Sequence, residues 1–99
     1  MNIKINAVKF TADQKLEKFI QNKVKKLLQF YDEIIAVEVF LKLENTQSLE
    51  NKITEIRIEI PGNDIFAKKQ SKSFEESTDN AIDALKRQLT KHKEKIRGL

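Results

Sequence analysis

The sequence predicts an α+β fold: a single β-α-β-β-β-α domain over residues 1–99, with a four-stranded mixed sheet and two helices packed on one face. Three observations predict it. The spacing of apolar residues switches from period two to helical period, back to period two for three runs, and ends helical. Every segment has one apolar side, so all of them must bury that side in one shared core. A chain of 99 residues with 39% hydrophobic residues, 2 Gly and 1 Pro is sized for one domain with one core.

The elements follow in order. Ile3, Ile5 and Ala7 alternate with Asn2, Lys4 and Asn6, the pattern of a short strand. Thr11 followed by Gln14 has capping-box spacing and is expected to start the first helix. Leu16, Phe19, Ile20, Val24, Leu27, Leu28 and Tyr31 then fall at steps of three and four on one helical stripe. Ile35, Val37, Val39, Leu41 and Leu43 alternate with Glu38, Lys42 and Glu44, a long half-buried strand closed by a polar turn over residues 45–51. Ile56, Ile58 and Ile60 alternate with Glu55, Arg57 and Glu59 until Pro61-Gly62-Asn63-Asp64 signals a turn. A weaker strand runs from Ile65 to about Gln70. Ser73 and Glu76 repeat the capping spacing, and Phe74, Ala81, Ile82, Leu85, Leu89 and Ile96 carry the last helical stripe. A strand-helix-strand crossover makes the first two strands parallel, whereas the short later connections make antiparallel hairpins.

Much chemistry is excluded by composition. Zero Cys removes disulfides, thiolate zinc sites and thiol nucleophiles, and a single His92 cannot build a multi-histidine metal site, so neither metal nor cofactor is expected. His92 follows the apolar stripe of the last helix and reads as a packed or partly exposed helix residue. Asp32-Glu33 and Glu75-Glu76 are adjacent carboxylates whose side chains diverge, and two glycines make no phosphate-cradling loop. The expectation is a non-enzyme without a small-molecule substrate. No apolar run reaches the ~18 residues of a membrane span and no signal-like start is present, so a cytoplasmic protein is expected.

The net charge of +4 conceals a strong polarity. Residues 4–26 hold 7 basic and 2 acidic residues, residues 27–64 hold 3 and 8, and residues 86–97 hold 6 and 1. With Leu85 at the centre of the buried stripe, Lys86, Lys93 and Arg97 lie on one flank of the last helix, with Arg87, Lys91 and Lys95 on the other or behind. Lys15, Lys18, Lys23, Lys25 and Lys26 border the first helix's stripe, so the two helices could form one basic platform or cleft. Lys91 to Arg97 sets four cations against Glu94 alone, too few i,i+4 partners for a salt-bridged solvent face. Spaced helical cations suit structured RNA phosphates. Base stacking is not expected, because the six Phe and one Tyr mostly take apolar-stripe positions, with Phe40 and Phe66 as exceptions.

The element order, the run Lys23-Val24-Lys25-Lys26-Leu27-Leu28-Gln29-Phe30-Tyr31 before Asp32, the Ile60-Pro61-Gly62 hairpin, and residues 81–93 with Leu85 to Lys93 most specific, closely resemble the ribosome hibernation-promoting factor family, also known as ribosome-associated inhibitor or sigma-factor modulation proteins. The resemblance implies a bacterial translation inhibitor that binds the small ribosomal subunit and its ribosomal RNA in the decoding region, overlaps the messenger and transfer RNA paths, and silences idle ribosomes. Carried over by position, the RNA-facing basics are Lys23, Lys26, Arg87 and Lys91, supported by Lys86, Lys93 and Lys95. The chain departs from many relatives at Ala84, where they have lysine, and at Ser73-Phe74-Glu75, where they have Asp-x-Tyr. Ending at Leu99, it is expected to lack the dimerisation domain of long relatives and to be monomeric when free. The alternative reading is a protein-interaction module that modulates a transcription factor through its acidic strands.

Overall fold

The computed structural model describes residues 2–45 and 47–96, except for the side chains of Asn2, Lys95 and Ile96. Strands β1 (Asn2–Ala7), β2 (Ala36–Leu43), β3 (Lys52–Ile60) and β4 (Asn63–Ser71) form one sheet in the order β1-β2-β3-β4, with helices α1 (Gln14–Phe30) and α2 (Phe74–Ile96) between and after them. β1 runs parallel to β2, and β2-β3 and β3-β4 are antiparallel, which bears out the expected mixed sheet. Both helices lie on one face: α1 supplies Leu16, Ile20, Val24 and Leu27 to the core and α2 supplies Phe74, Ala81, Ile82, Leu85 and Leu89. Val37, Val39, Leu41, Ile56, Ile58, Ile60, Ile65 and Ala67 meet them from the sheet. Full burial of each large side chain contributes roughly 1.5–3 kcal/mol, which fixes the helices against the strands.

Several boundaries differ from the sequence reading, each for a local reason. Asp13, not Thr11, caps α1, its Oδ1 accepting from the Leu16 N–H at 2.8 Å. A carboxylate there also meets the positive end of the helix dipole, which a Thr hydroxyl cannot match. Ser73 does cap α2, accepting from the Glu76 N–H at 3.1 Å. β2 begins at Ala36, and Ile35 and Leu43 are about half exposed (52% and 51%), because the strand ends run past the helical cover. β4 begins at Asn63, not Ile65: Gly62 has φ +76°, so the Pro61-Gly62 pair turns the chain in two residues and lets Ile60 pair with Asn63 at once. The stripe residue Ile96 lies outside the described side chains.

The stripe on α2 also has a polar segment. Ser77 and Thr78 are fully buried, and the Thr54 hydroxyl of β3 lies 2.6 Å from Ser77 Oγ and 3.3 Å from Thr78 Oγ1. Ser77 Oγ also donates to the Phe74 carbonyl at 3.2 Å. This cluster joins the first turns of α2 to the sheet through satisfied hydroxyls, so the helix can be held there without a large apolar side chain.

Candidate nucleic-acid interface

The second half of α2 presents two flanks. Counting about 100° per residue from the buried Leu85, Asp79, Lys86 and Lys93 turn towards α1, and Arg87 and Lys91 turn away from it. Contacts agree with that placement. Lys86 Nζ stands 6.0 Å from the centroid of the Phe30 ring at the end of α1, and Lys93 lines, with Phe30, Leu89, Thr90 and Glu94, a hollow of about 280 Å³ between the helices. On the other flank, Arg87 shares a shallow depression with Lys69, Asn80 and Asp83.

α1 closes the groove from its own side. Lys23 Nζ reaches Asp79 Oδ1 of α2 at 2.9 Å and lies 5.4 Å from the Phe19 ring centroid. Lys26, one turn before Phe30, is exposed. Of the candidate cations, then, Lys23, Lys86 and Lys93 converge on the inter-helix groove and Lys26 borders it. Arg87 and Lys91 form a separate exposed row on the outer flank of α2. The side chain of Lys95, and the whole of Arg97, lie outside the described residues. Among those described, the helices contain one cation-carboxylate pair, that of Lys23 with Asp79.

The opposite face of the sheet is charged as well, but its charges meet one another. Arg57 on β3 bonds Glu38 of β2 and Asp64 of β4, both at 3.0 Å. The hydrogen bond to Glu38 is the first cause of the guanidinium's raised pKa, with the two carboxylates' charges adding to it. Lys42 pairs with Glu55 at 3.0 Å, and Lys68 approaches the same carboxylate at 4.0 Å. Lys4, Glu38, Arg57 and Glu59 line a broad open depression of about 460 Å³ towards the β1 edge.

Three groups at the candidate interface escaped the sequence reading. Phe30 is 46% exposed, and with Phe66 at 48% it leaves only Phe74 and Tyr31 buried among the seven aromatic residues. The expectation that the aromatics mostly take core positions holds for Phe10, Phe19, Tyr31 and Phe74, which lie in or pack against the core, and Phe30 joins Phe66 as an exposed exception. A helix-terminal aromatic beside a stripe residue, Phe30 before Tyr31, was the available signal. Lys69 joins Arg87 only because β4 lies beneath α2, and Asp79 meets Lys23 only across the helix pair, so neither could be found from local spacing. His92 is half-buried beside Tyr31, with ring centroids 6.5 Å apart. The Tyr31 phenol is pushed above its ordinary pKa by burial first, then by Glu33 and Asp32.

Comparison with known proteins identifies relatives over nearly the whole chain. A family model described as sigma 54 modulation protein / S30EA ribosomal protein matches residues 3–97. A ribosome hibernation promoting factor of Escherichia coli is 34% identical over 97 residues, covering 98% of this chain and 96% of the relative. A protein of the same name from Pseudomonas putida is 30% identical over 99 residues, covering 100% and 93%. Among solved structures, a ribosomal subunit interface protein from Coxiella burnetii superposes with TM-score 0.83 at 22% identity, covering 94% of this chain and 98% of that one. The N-terminal domain of Protein Y from Thermus thermophilus superposes with TM-score 0.78 at 20% identity, covering 93% and 99%. These two likenesses establish the fold. No helix among the described residues is long and apolar enough to cross a membrane.

Proposed function

Because the chain belongs to the sigma 54 modulation protein / S30EA ribosomal protein family, we propose that residues 1–99 act as a ribosome-binding domain that occupies the small subunit near the decoding region, occludes messenger and transfer RNA, and promotes ribosome hibernation. The relatives' names supply the ribosome as partner and hibernation as outcome. One observation on this chain supports the contact surface: the cations of α1 and of the second half of α2 share one side of the molecule, with a single carboxylate partner between the helices among the described residues. On this reading Lys23, Lys26, Lys86, Arg87, Lys91, Lys93 and Lys95 meet ribosomal RNA phosphates. The protein works as a monomer in the cytoplasm, by steric occlusion and without chemistry on the RNA.

The test is binding to purified small subunits as a function of salt. Contacts to six to ten phosphates weaken binding by ~10³ to 10⁵ between 50 and 200 mM salt on the duplex-DNA slope. Inhibition in a purified translation system is expected to yield to excess messenger and initiator transfer RNA, and to vanish when a high-salt wash removes the protein. An affinity nearly flat in salt would instead favour a protein contact through the acidic strands. Ribosomes left inactive after the wash would contradict occlusion.

A further inference from the structure

Phe30 is a large aromatic side chain left 46% exposed at the end of α1, where the basic helix runs into Asp32 and Glu33. The other strongly exposed aromatic, Phe66, lies on β4 opposite Arg57, whose charge is already taken by Glu38 and Asp64. Around Phe30 the cations have no such partners: Lys86 stands 6.0 Å from the ring centroid, Lys93 lines the same hollow, and exposed Lys26 precedes it by four residues on α1, hence on the same side of that helix. A ring flanked by cations is the arrangement that binds single nucleotides, the base on the π-face and the phosphates on the ammonium groups.

The lining of the hollow separates base from phosphate. It is lined by Phe30, Leu89, Thr90 and Glu94, with Lys93 beside them. Glu94 repels a phosphate but accepts from an exocyclic amine, as carboxylates do from cytosine. Thr90 Oγ1 already donates to the Lys86 carbonyl at 2.8 Å, so its hydroxyl is free to accept rather than to donate. At about 280 Å³ the hollow falls just below the usual range of small-molecule pockets, which limits it to one ring system.

We propose that the Phe30 hollow holds one unpaired RNA base bearing an exocyclic amine, stacked on the Phe30 ring, with Lys26, Lys86 and Lys93 on the phosphates to either side. This rests on the proposed contact with small-subunit RNA and adds to it a contact that does not depend on salt. Stacking releases no counterions, so its loss lowers affinity without changing the salt slope, whereas losing a phosphate contact such as Lys86 lowers the slope by about one.

The chain has no tryptophan, so Phe30→Trp places a single indole at the site. Titrated with purified small subunits, F30W is expected to have its emission quenched by the stacked base. Phe30→Leu keeps apolar bulk but has no π-face, and is expected to bind about 5- to 100-fold more weakly with the parent's salt slope. A thermal melt of F30L close to the parent's accompanies that result. F30L binding as tightly as the parent overturns the inference while the parent's salt slope leaves the phosphate reading standing. Indole emission that shifts to the blue without quenching points to burial against a ribosomal protein and also overturns it. A parent affinity flat in salt removes the reading on which the proposal rests.

Discussion

The two sides of this molecule both carry many charges and use them in opposite ways. On the open face of the sheet, Lys4, Lys42, Arg57 and Lys68 share the surface with Glu38, Glu55, Glu59 and Asp64, and neighbouring strands bring Lys42, Arg57 and Lys68 within 3.0–4.0 Å of Glu55, Glu38 and Asp64. On the helical side, α1 sets five lysines against Glu17, and residues 86–94 of α2 set four cations against Glu94. Cross-strand pairs of opposite sign are a local arrangement that neutralises the field within the sheet. Helix lysines with few i,i+4 acids leave theirs pointing outward. The formal charge of +4 thus understates the helical side and overstates the sheet. Which surface can attract a polyanion depends on where charge goes unpaired, not on how much there is.

The largest test of this contrast is to reverse two charges on each side. Arg87→Glu with Lys91→Glu on the outer flank of α2 is expected to lower small-subunit affinity by about 10² to 10⁴, taking two charged hydrogen bonds at roughly 1.5–3 kcal/mol each. Lys42→Glu with Lys68→Glu on the sheet breaks the contacts with Glu55 and is expected to leave subunit binding within about threefold. The α2 pair is a surface change, so its thermal melt should move little, whereas the sheet pair sets two carboxylates beside Glu55, whose side chain is only 13% exposed, and should lower the melt. A larger loss of binding from the sheet pair would transfer the binding face to the strands.

The sequence and the structure agree where each inference rests on one element's own periodicity. Val24, Leu27, Leu85 and Leu89 are buried as their helical spacing requires, and Ile56 and Ile58 as strand alternation requires. Ser73 caps α2 as its spacing with Glu76 suggested. Disagreement arises where a second element decides. Ile35 and Leu43 alternate correctly but lie beyond the helical cover, and Ser77 and Thr78 are polar yet buried because Thr54 meets them from β3. The same holds at the candidate interface. Helical phase separates Lys86 and Lys93 from Arg87 and Lys91, but the pairing of Lys23 with Asp79 and the approach of Lys86 to Phe30 depend on the distance between helices, which no single segment encodes.

That pairing gives a second, smaller test. Among the described residues, Asp79 is the one carboxylate that engages a candidate cation across the helices, with side-chain exposures of 33% for Lys23 and 46% for Asp79. Asp79→Asn removes a negative charge from the basic side and frees Lys23. Unit charges about 4 Å apart in water interact by ~1 kcal/mol, so subunit binding at low salt is expected to tighten by roughly fivefold, fading as salt rises. An ion pair this exposed contributes at most ~1 kcal/mol to folding, so stability should change little. Weaker binding of Asp79→Asn would mean that the pair's role is to position Lys23, and that the groove's geometry matters more than its net charge.

The smallest effect is expected where the two regions meet. Tyr31 ends α1, the basic helix, and Asp32 and Glu33 open the acidic part of the chain. Its phenol is held above the ordinary value near 10, by burial first and by Glu33 and Asp32 after it. In the unfolded chain the phenol ionises near its ordinary pKa, whereas the folded protein keeps the proton to higher pH. Between those two values the unfolded state binds fewer protons, so stability falls as pH rises. The contribution is complete below pH ~10 and is lost as pH climbs through the folded pKa. Lysines titrate in the same window, so the readout is the difference between parent and Tyr31→Phe in urea unfolding from about pH 9 to 11. The parent's stability should decline more steeply than that of Tyr31→Phe. Asp32→Asn with Glu33→Gln should recover only the smaller part of that difference, because burial is the leading cause. Full recovery by the double variant would make the acidic segment's field the dominant influence at this junction.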